Sequence, residues 1–434
     1  MKSIRFTKAT IDRTLVKVML TLSLVTVAGG FALFLDGGAR PQGLLNAVER
    51  SGMFKYAEIA YIPIAILVIF HAILTRGRYS DLRALSRSTG TKLAAVFLFM
   101  TALQWAAGMP ISNAMLGTLC SFVAVTFIAG VAIRLLDTNE IFSTLNLVYL
   151  ACFLLSLFLI TFIPSYGVSI NVDEDWQGMF VHKNNLGIFC ASYALISLGC
   201  WRASRTVTAV NMTLAGILVF GSRSYASIAA FLIAALFALS PLGFRRAIVY
   251  LRFPILAGAL IASAAIVLMS VSSFSMDFFG KDFTFSGRNM IWAYSMAGFL
   301  QHPALGQGMN SLAYQVSHNS AGFFNATGQV LASHHNGMIS LLYDFGLVGA
   351  AAVLAVLQRP LRRLVVNSSL SFMLVSGLVA TITLNTFEDR LFSPNAFYFA
   401  LILLIFINEM NTSHSAALGN RTTKRAENSR STLR

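Results

Sequence analysis

The segment 141–163 contains no charged residue, and apolar runs of comparable length recur along the rest of the chain. A helix needs about 20 apolar residues to cross the hydrocarbon of a bilayer. In lipid every backbone N–H and C=O must be satisfied within the segment, so runs like these are compatible with little other than helices. The chain is therefore expected to be an all-α polytopic membrane protein. Charged residues make up 11% of its 434 positions and hydrophobic residues 56%, whereas a soluble domain carries roughly 25% charged residues. Uninterrupted runs also exclude a transmembrane β-barrel, whose strands alternate apolar and polar positions.

The apolar pattern predicts about twelve transmembrane helices, at 15–35, 56–74, 93–109, 113–133, 141–163, 185–201, 207–221, 225–240, 253–273, 337–357, 368–384 and 395–407. The first continues past Gly29-Gly30 without a clear A-x-A site, so it is expected to be an uncleaved helix. Lys and Arg total 32 against 17 Asp and Glu, a net charge of +15. In a membrane protein that excess gathers in cytoplasmic loops. Alternate loops hold Arg76 to Lys92, Arg134, Arg202 with Arg205, Arg245 to Arg252, and Arg359 to Arg363. Both termini are then cytoplasmic, with one large periplasmic loop, 274–336, between helices 9 and 10. Residues 1–407 form a single membrane domain, and 408–434 form a basic, disordered cytoplasmic tail. No basic stripe interleaved with aromatics points to nucleic acid. Cys120, Cys152, Cys190 and Cys200 lie in apolar runs and form neither a disulfide framework nor a CxxC site.

The stretch 283–350 breaks the apolar pattern with Ser286-Gly287-Arg288, His302-Pro303, Gly306-Gln307-Gly308 and His334-His335-Asn336. There is no G-x-x-x-x-G-K-[ST], H-E-x-x-H or G-x-S-x-G, and no D-x-D pair placed to hold a metal on nucleotide phosphates. What remains facing outward is a set of cations and imidazoles: Arg223, Arg288, His302, His318, His334, His335, and Lys183 beside His182. Arg pairs bidentately with phosphate oxygens, and a near-neutral His can take a proton from a hydroxyl. Such a set suits a diphosphate. Arg223, in Gly221-Ser222-Arg223-Ser224, stands against the positive-inside rule. Its alternative is an interfacial side chain reaching for headgroups. Asn336 has the alternative of a plain helix cap, with histidines on the surface beside it. His302-Pro303 and Gly306-Gln307-Gly308 read as turns. In the loop 164–185, Asp173-Glu174-Asp175-Trp176 offers carboxylates and an apolar face for a sugar, or is simply a solvated loop. Glu388-Asp389-Arg390 reads as a surface ion pair of little worth.

In this order and spacing, Ser222-Arg223, Ser286-Gly287-Arg288 with Trp292, His302-Pro303-x-x-Gly306-x-Gly308 and His335-Asn336 resemble the O-antigen ligase and Wzy-type polysaccharide polymerase superfamily, over a core of 207–357. His182-Lys183-Asn184-x-Leu186-Gly187 resembles its exopolysaccharide polymerase branch. The resemblance implies metal-independent, cofactor-free glycosyl transfer at the periplasmic face of the bacterial inner membrane. The donor is an undecaprenyl-diphosphate-linked glycan, and the acceptor is a lipid-linked repeat (polymerase) or a lipid A core (ligase). Arg223 and Arg288 would hold the diphosphate, and His335 would be the acid/base or orienting residue. These three are the candidate catalytic residues, and both arginines count also as substrate contacts. His334, Asn336, His182, Lys183 and Trp176 complete the candidate substrate contacts. Membrane lipids, a chain-length regulator and a flippase are the further partners expected. A lipid-linked oligosaccharide flippase is the transport alternative, but transporters place cations within helices lining a cavity, and here they sit in loops.

Overall fold

The computed structural model describes residues 8–27, 86–109, 113–169, 174–180, 182–271, 277–278, 281–282, 288–309, 311–319, 322, 324, 333–388 and 395–411. Its helices are α1 (Lys8–Val27), α2 (Thr89–Ala106), α3 (Asn113–Leu135), α4 (Thr138–Phe162), α5 (Lys183–Ala203), α6 (Arg205–Gly221), α7 (Tyr225–Leu239), α8 (Leu242–Tyr250), α9 (Arg252–Val271), α10 (Arg288–Gln301), α11 (Ser311–His318), α12 (Gly337–Arg362), α13 (Ser369–Phe387) and α14 (Ala396–Asn411). A single helical turn, Pro164–Gly167, follows α4. Two-residue strands β1 (Asp277–Phe278) and β2 (Lys281–Asp282) pair antiparallel, with Asp277 opposite Asp282.

Helices fall on the predicted windows from 93–109 onward, while the window 56–74 lies outside the described residues. The expectation of about twelve spanning helices is met only in part. Among the described residues five helices are long and apolar enough to cross a membrane, or six if α7 and α8, bent by 117°, form one broken span. Arg205–Gly221, Arg252–Leu268 and Ala396–Asn411 are apolar but shorter. The bend follows from Ser240-Pro241: proline cannot extend α7 and instead precedes α8. Arg245 then donates from Nε to the Ser240 carbonyl (2.8 Å) and from Nη2 to that of Ala238 (2.7 Å), satisfying the freed end of α7.

Helix α5 runs through the centre, buried along nearly its whole length. Tyr149, Phe153, Phe189 and Tyr193 join it to α4 as one aromatic cluster. Beside them lies a polar knot. The Tyr193 hydroxyl (2.7 Å) and Asn211 Nδ2 (2.8 Å) both donate to Asn146 Oδ1, and Asn146 Nδ2 donates to Thr208 Oγ1 (3.1 Å). Such bonds tie helices together where apolar packing alone gives no preference over lipid.

Helix α12 is broken at Gly346, which has φ 63° and ψ −167°. The break frees backbone groups from the helix ladder, and the segment 303–308 meets four of them. The amides of Gln307 and Gly308 donate to the carbonyls of Tyr343 (2.6 Å) and Asp344 (3.1 Å). Leu347 and Val348 donate to the carbonyls of Pro303 (2.9 Å) and Ala304 (3.1 Å). Gln104 of α2 closes the junction from the other side, its Nε2 donating to Leu305 O (2.7 Å) and Asp344 O (2.5 Å). His302-Pro303-x-x-Gly306-x-Gly308 is therefore more than a turn: it is the seat of a broken helix.

A Cβ at Gly346 would lie 2.4 Å from Ala304 O, and one at Gly306, where φ is +74°, would lie 2.6 Å from the Asp344 carbonyl carbon. Neither backbone can retreat. Gly346→Ala and Gly306→Ala should each cost about 1–3 kcal/mol or more, from strain and from crowding. Gly258→Ala, with open space around it, should be near neutral. Thermal unfolding of the detergent-solubilised variants checks the contrast, and equal melting of all three contradicts it.

Candidate functional site

The start of α5 organises the polar end of the bundle. His182 is its N-cap, Nδ1 accepting from the Asn184 amide at 3.1 Å. The next two residues reach to different carboxylates. Lys183 Nζ lies 2.5 Å from Asp175 Oδ2, and Asn184 Nδ2 donates to Glu388 Oε1 at 3.0 Å. Both acids are almost fully buried, at 2% and 4% exposure. Burial without partners would be prohibitive for either.

Asp175 also faces Arg223, whose Nη1 is 3.9 Å from Oδ1. Arg223 sits in the connection between α6 and α7 with φ +50°. Buried Ser222 shapes this turn: its Oγ donates to Val219 O (2.7 Å) and accepts from the Ser224 amide (3.3 Å). The turn leaves the Arg223 side chain the more exposed of the site's two arginines, at 58%. Trp176 is tied to the same turn, its amide donating to Gly221 O at 3.0 Å. Its ring lies so close that a Cβ at Gly221 would be 2.1 Å from it, so one ring face packs on protein. The expectation of a solvated acidic loop fails at Asp175. Asp173 lies outside the described residues.

Glu388, at the end of α13, gathers the second set. Arg288, the first residue of α10, donates from Nη2 to Glu388 Oε1 (3.4 Å) and from Nη1 to the Phe387 carbonyl. His335 Nδ1 stands 3.9 Å from Glu388 Oε2 and, though buried, has no hydrogen-bond partner among the described residues. The surface ion pair expected at Glu388 is thus a buried junction with Asn184, Arg288 and His335, residues distant in sequence. Asp389 and Arg390, and also Ser286-Gly287, lie outside the described residues.

His335 has φ +48°. The described non-glycine residues with positive φ are Glu174, Arg223 and His335, and all three belong to this end of the molecule. Strain of this kind persists where surroundings enforce it and concentrates at functional sites. The enforcing surroundings of His335 are its neighbours. Asn336 is fully buried, its Oδ1 capping α12 by accepting from Met338 N (2.9 Å) and Ile339 N (3.0 Å) and its Nδ2 donating to Thr386 O (2.9 Å). His334 is 3% exposed and pairs through Nδ1 with Ser295 Oγ at 2.8 Å. Its carbonyl accepts from Trp292 Nε1 (2.8 Å), and its Nε2 faces Asp344 Oδ1 at 3.9 Å. Burial, with His335 nearby, pushes the His334 imidazole down to about 3. It is neutral near pH 7. Both Asn336 and His334 therefore lie beneath the surface and fix the loop that carries His335.

Of the remaining sequence candidates, His302 is exposed at the far end of α10, and His318 ends α11. No group of three or more His, Cys, Asp or Glu that could hold a metal occurs among the described residues. Sequence reasoning missed the anchoring roles of Asp175 and Glu388. The available signal was a carboxylate at the very end of an apolar helix, where isolated charge is costly.

A multi-pass helical membrane protein with a preassembled cluster of cations at one end of its bundle is the class these features define. Residues 210–354 match the family model Wzy_C, described as O-Antigen ligase. That segment, similar to the O-antigen ligase family, holds Arg223, Arg288 and His335. Asp175, Lys183 and Glu388 lie beyond the matched residues. No curated protein matches the chain.

The His334 environment makes stability depend on pH. Unfolded, this His binds a proton near 6.5; folded, not until about 3. The unfolded state therefore binds more protons between those values, and stability falls as pH drops through that window. The melting temperature should decline from pH 7 to pH 4.5, and His334→Gln should flatten that slope. An unchanged slope in the variant contradicts the assignment.

Proposed function

We propose that this protein transfers a glycan from an undecaprenyl-diphosphate carrier to a sugar hydroxyl at the periplasmic face of the inner membrane, joining lipid-linked repeats into exopolysaccharide or O-antigen. The observation carrying this reading is the pairing of three cations with two buried carboxylates around the start of α5. Lys183, Arg223 and Arg288 contribute +3, and Asp175 and Glu388 contribute −2, leaving +1. The N-termini of α5, α10 and α12 each add roughly half a positive charge. An anionic diphosphate is favoured there, and the forked guanidinium of Arg223, the more exposed of the two, is the group it meets first.

Orientation is supported by the opposite end of the bundle. There Arg13 and Lys17 pair with Glu140, Arg202 donates to Ser369 Oγ, and Arg252 donates to the Leu361 carbonyl. Positive charge collects on the cytoplasmic side, so the cluster of Asp175 and Glu388 faces outward.

In the reaction the acceptor hydroxyl oxygen attacks the anomeric carbon opposite the diphosphate. The new glycosidic C–O bond forms as the bond to the diphosphate breaks, and the leaving group takes that electron pair onto oxygens held by Arg223 and Arg288. The hydroxyl proton passes to His335, whose Nδ1 side faces Glu388, a carboxylate able to orient the ring and to stabilise the imidazolium. The anomeric configuration inverts. His182 and Lys183 border the diphosphate, Trp176 borders the first sugar, and His334 and Asn336 hold His335 in place. A chain-length regulator and a flippase are the natural partners.

A second reading, transfer to a lipid A core, is favoured by the description of the matching family as O-Antigen ligase; the His182-Lys183-Asn184 stretch favours polymerisation. Glycan analysis of a deletion strain separates them. Single repeats left on the carrier mean a polymerase, and finished polymer not joined to lipid A core means a ligase. Repeats trapped on the cytoplasmic face contradict both.

Arg223→Ala, Arg288→Ala and His335→Ala should each lower polymer formation by roughly 100-fold or more with the protein still in the membrane. Wild-type chain length in all three contradicts the assignment. Activity should persist in EDTA, and a strict divalent-metal requirement contradicts the cation clamp.

A further inference from the structure

Beyond the cation cluster, the far end of α10 opens onto a cavity of about 620 Å³, bounded by α2, the 301–309 segment and α11. Its wall is mixed: Gln301, His302, Gln307, Ser311, Tyr314 and Gln315 supply polar groups, while the larger share of its surface is apolar. This wall is rigid for reasons already given. Gln307 is held by its amide on Tyr343 O, a carbonyl freed by the break at Gly346, and by its Nε2 on Gly298 O of α10 (2.6 Å). Gln315 is held differently. Its Oε1 accepts from the hydroxyls of both Tyr294 (3.2 Å) and Tyr343 (3.0 Å). A carboxamide whose two acceptor sites are filled offers a ligand its –NH2 donors.

We propose that this cavity is a remote glycan subsite, binding a sugar segment several units away from the bond being formed. The lining carries amides, an imidazole, a hydroxyl and a phenol, with no carboxylate and no Lys or Arg. It is suited to a neutral ligand dense in hydroxyls, with the Tyr314 ring as an apolar face. An anion would find no fixed charge here. Distance supplies the second argument. From Arg288 to Gln301, α10 rises about 20 Å at 1.5 Å per residue, too far for a sugar attached directly to a diphosphate held by Arg288. A glycan running along the outside of α10 would reach it. The subsite rests on the glycosyl-transfer reading for its biological meaning, but not for its chemistry.

The test uses the full-length protein in detergent micelles and, as probe, a carrier-free oligosaccharide of one repeat, released by mild acid from the producing organism's own polymer. Isothermal titration should show saturable binding that Tyr314→Ala and His302→Ala each weaken about fivefold or more, the range expected for losing one or two ligand contacts. Arg288→Ala should leave this binding intact, so the subsite stands or falls separately from the clamp. His302 is exposed, so its variant should fold even if that of Tyr314 does not, which a thermal melt establishes. With lipid-linked substrate, a raised KM for the donor in Tyr314→Ala marks the occupant as donor glycan. Shorter products at unchanged donor KM mark it as the growing acceptor chain. No binding by wild type, or equal binding by wild type and a folded variant, overturns the proposal.

Discussion

Glu388 is almost removed from solvent at the end of an apolar helix, and a carboxylate there is tolerated only when it is paired and hydrogen-bonded. Three of its neighbours come from three different places in the chain: Asn184 from the start of α5, Arg288 from the start of α10, and His335 from the turn before α12. Satisfying one buried charge therefore fixes the relative positions of three helix starts. Asp175 repeats the arrangement one residue away on α5, through Lys183 and Arg223. Electrostatic necessity and site assembly are the same event here.

The second constraint is the broken helix. Without Gly346 and the 303–308 segment, α12 would run straight and the carbonyls of Tyr343 and Asp344 would bond within it. The break turns them outward to Gln307, Gly308 and Gln104, locking the loop after α10 to the bundle. Asp344, at the break, also faces His334. The packing that anchors the loop thus continues directly into the residue next to His335. Positive φ at Arg223 and His335 is strain that these two frameworks impose on the groups proposed to meet substrate.

Much of this was legible in the sequence because membrane helices announce themselves locally. The windows 113–133 and 141–163 differ from α3 and α4 by only a few residues, since apolar runs and their ends depend on neighbours in the chain. Arg223, Arg288 and His335 stood out for a similar reason, as charge and imidazole between apolar runs. What was not legible depends on contacts between distant segments. Glu388 looked like half of a local ion pair, and nothing near it in sequence reveals Asn184 or Arg288. Gly346 sits inside a window that reads as one helix despite Asp344, so its break becomes visible only against Ala304. Helix α8 was hidden because Arg245 and Arg246 read as loop charge, whereas Arg245 caps the preceding helix. His334 and Asn336 carried the right motif but hold the loop from below.

The most direct measurement is a structure of the protein with an undecaprenyl-diphosphate-linked sugar bound in lipid nanodiscs. The account predicts diphosphate density at the N-terminus of α5, between the guanidinium groups of Arg223 and Arg288, with the sugar's anomeric carbon turned toward His335. Diphosphate density elsewhere, either among the apolar helices or at the basic end near Arg202 and Arg252, would contradict it.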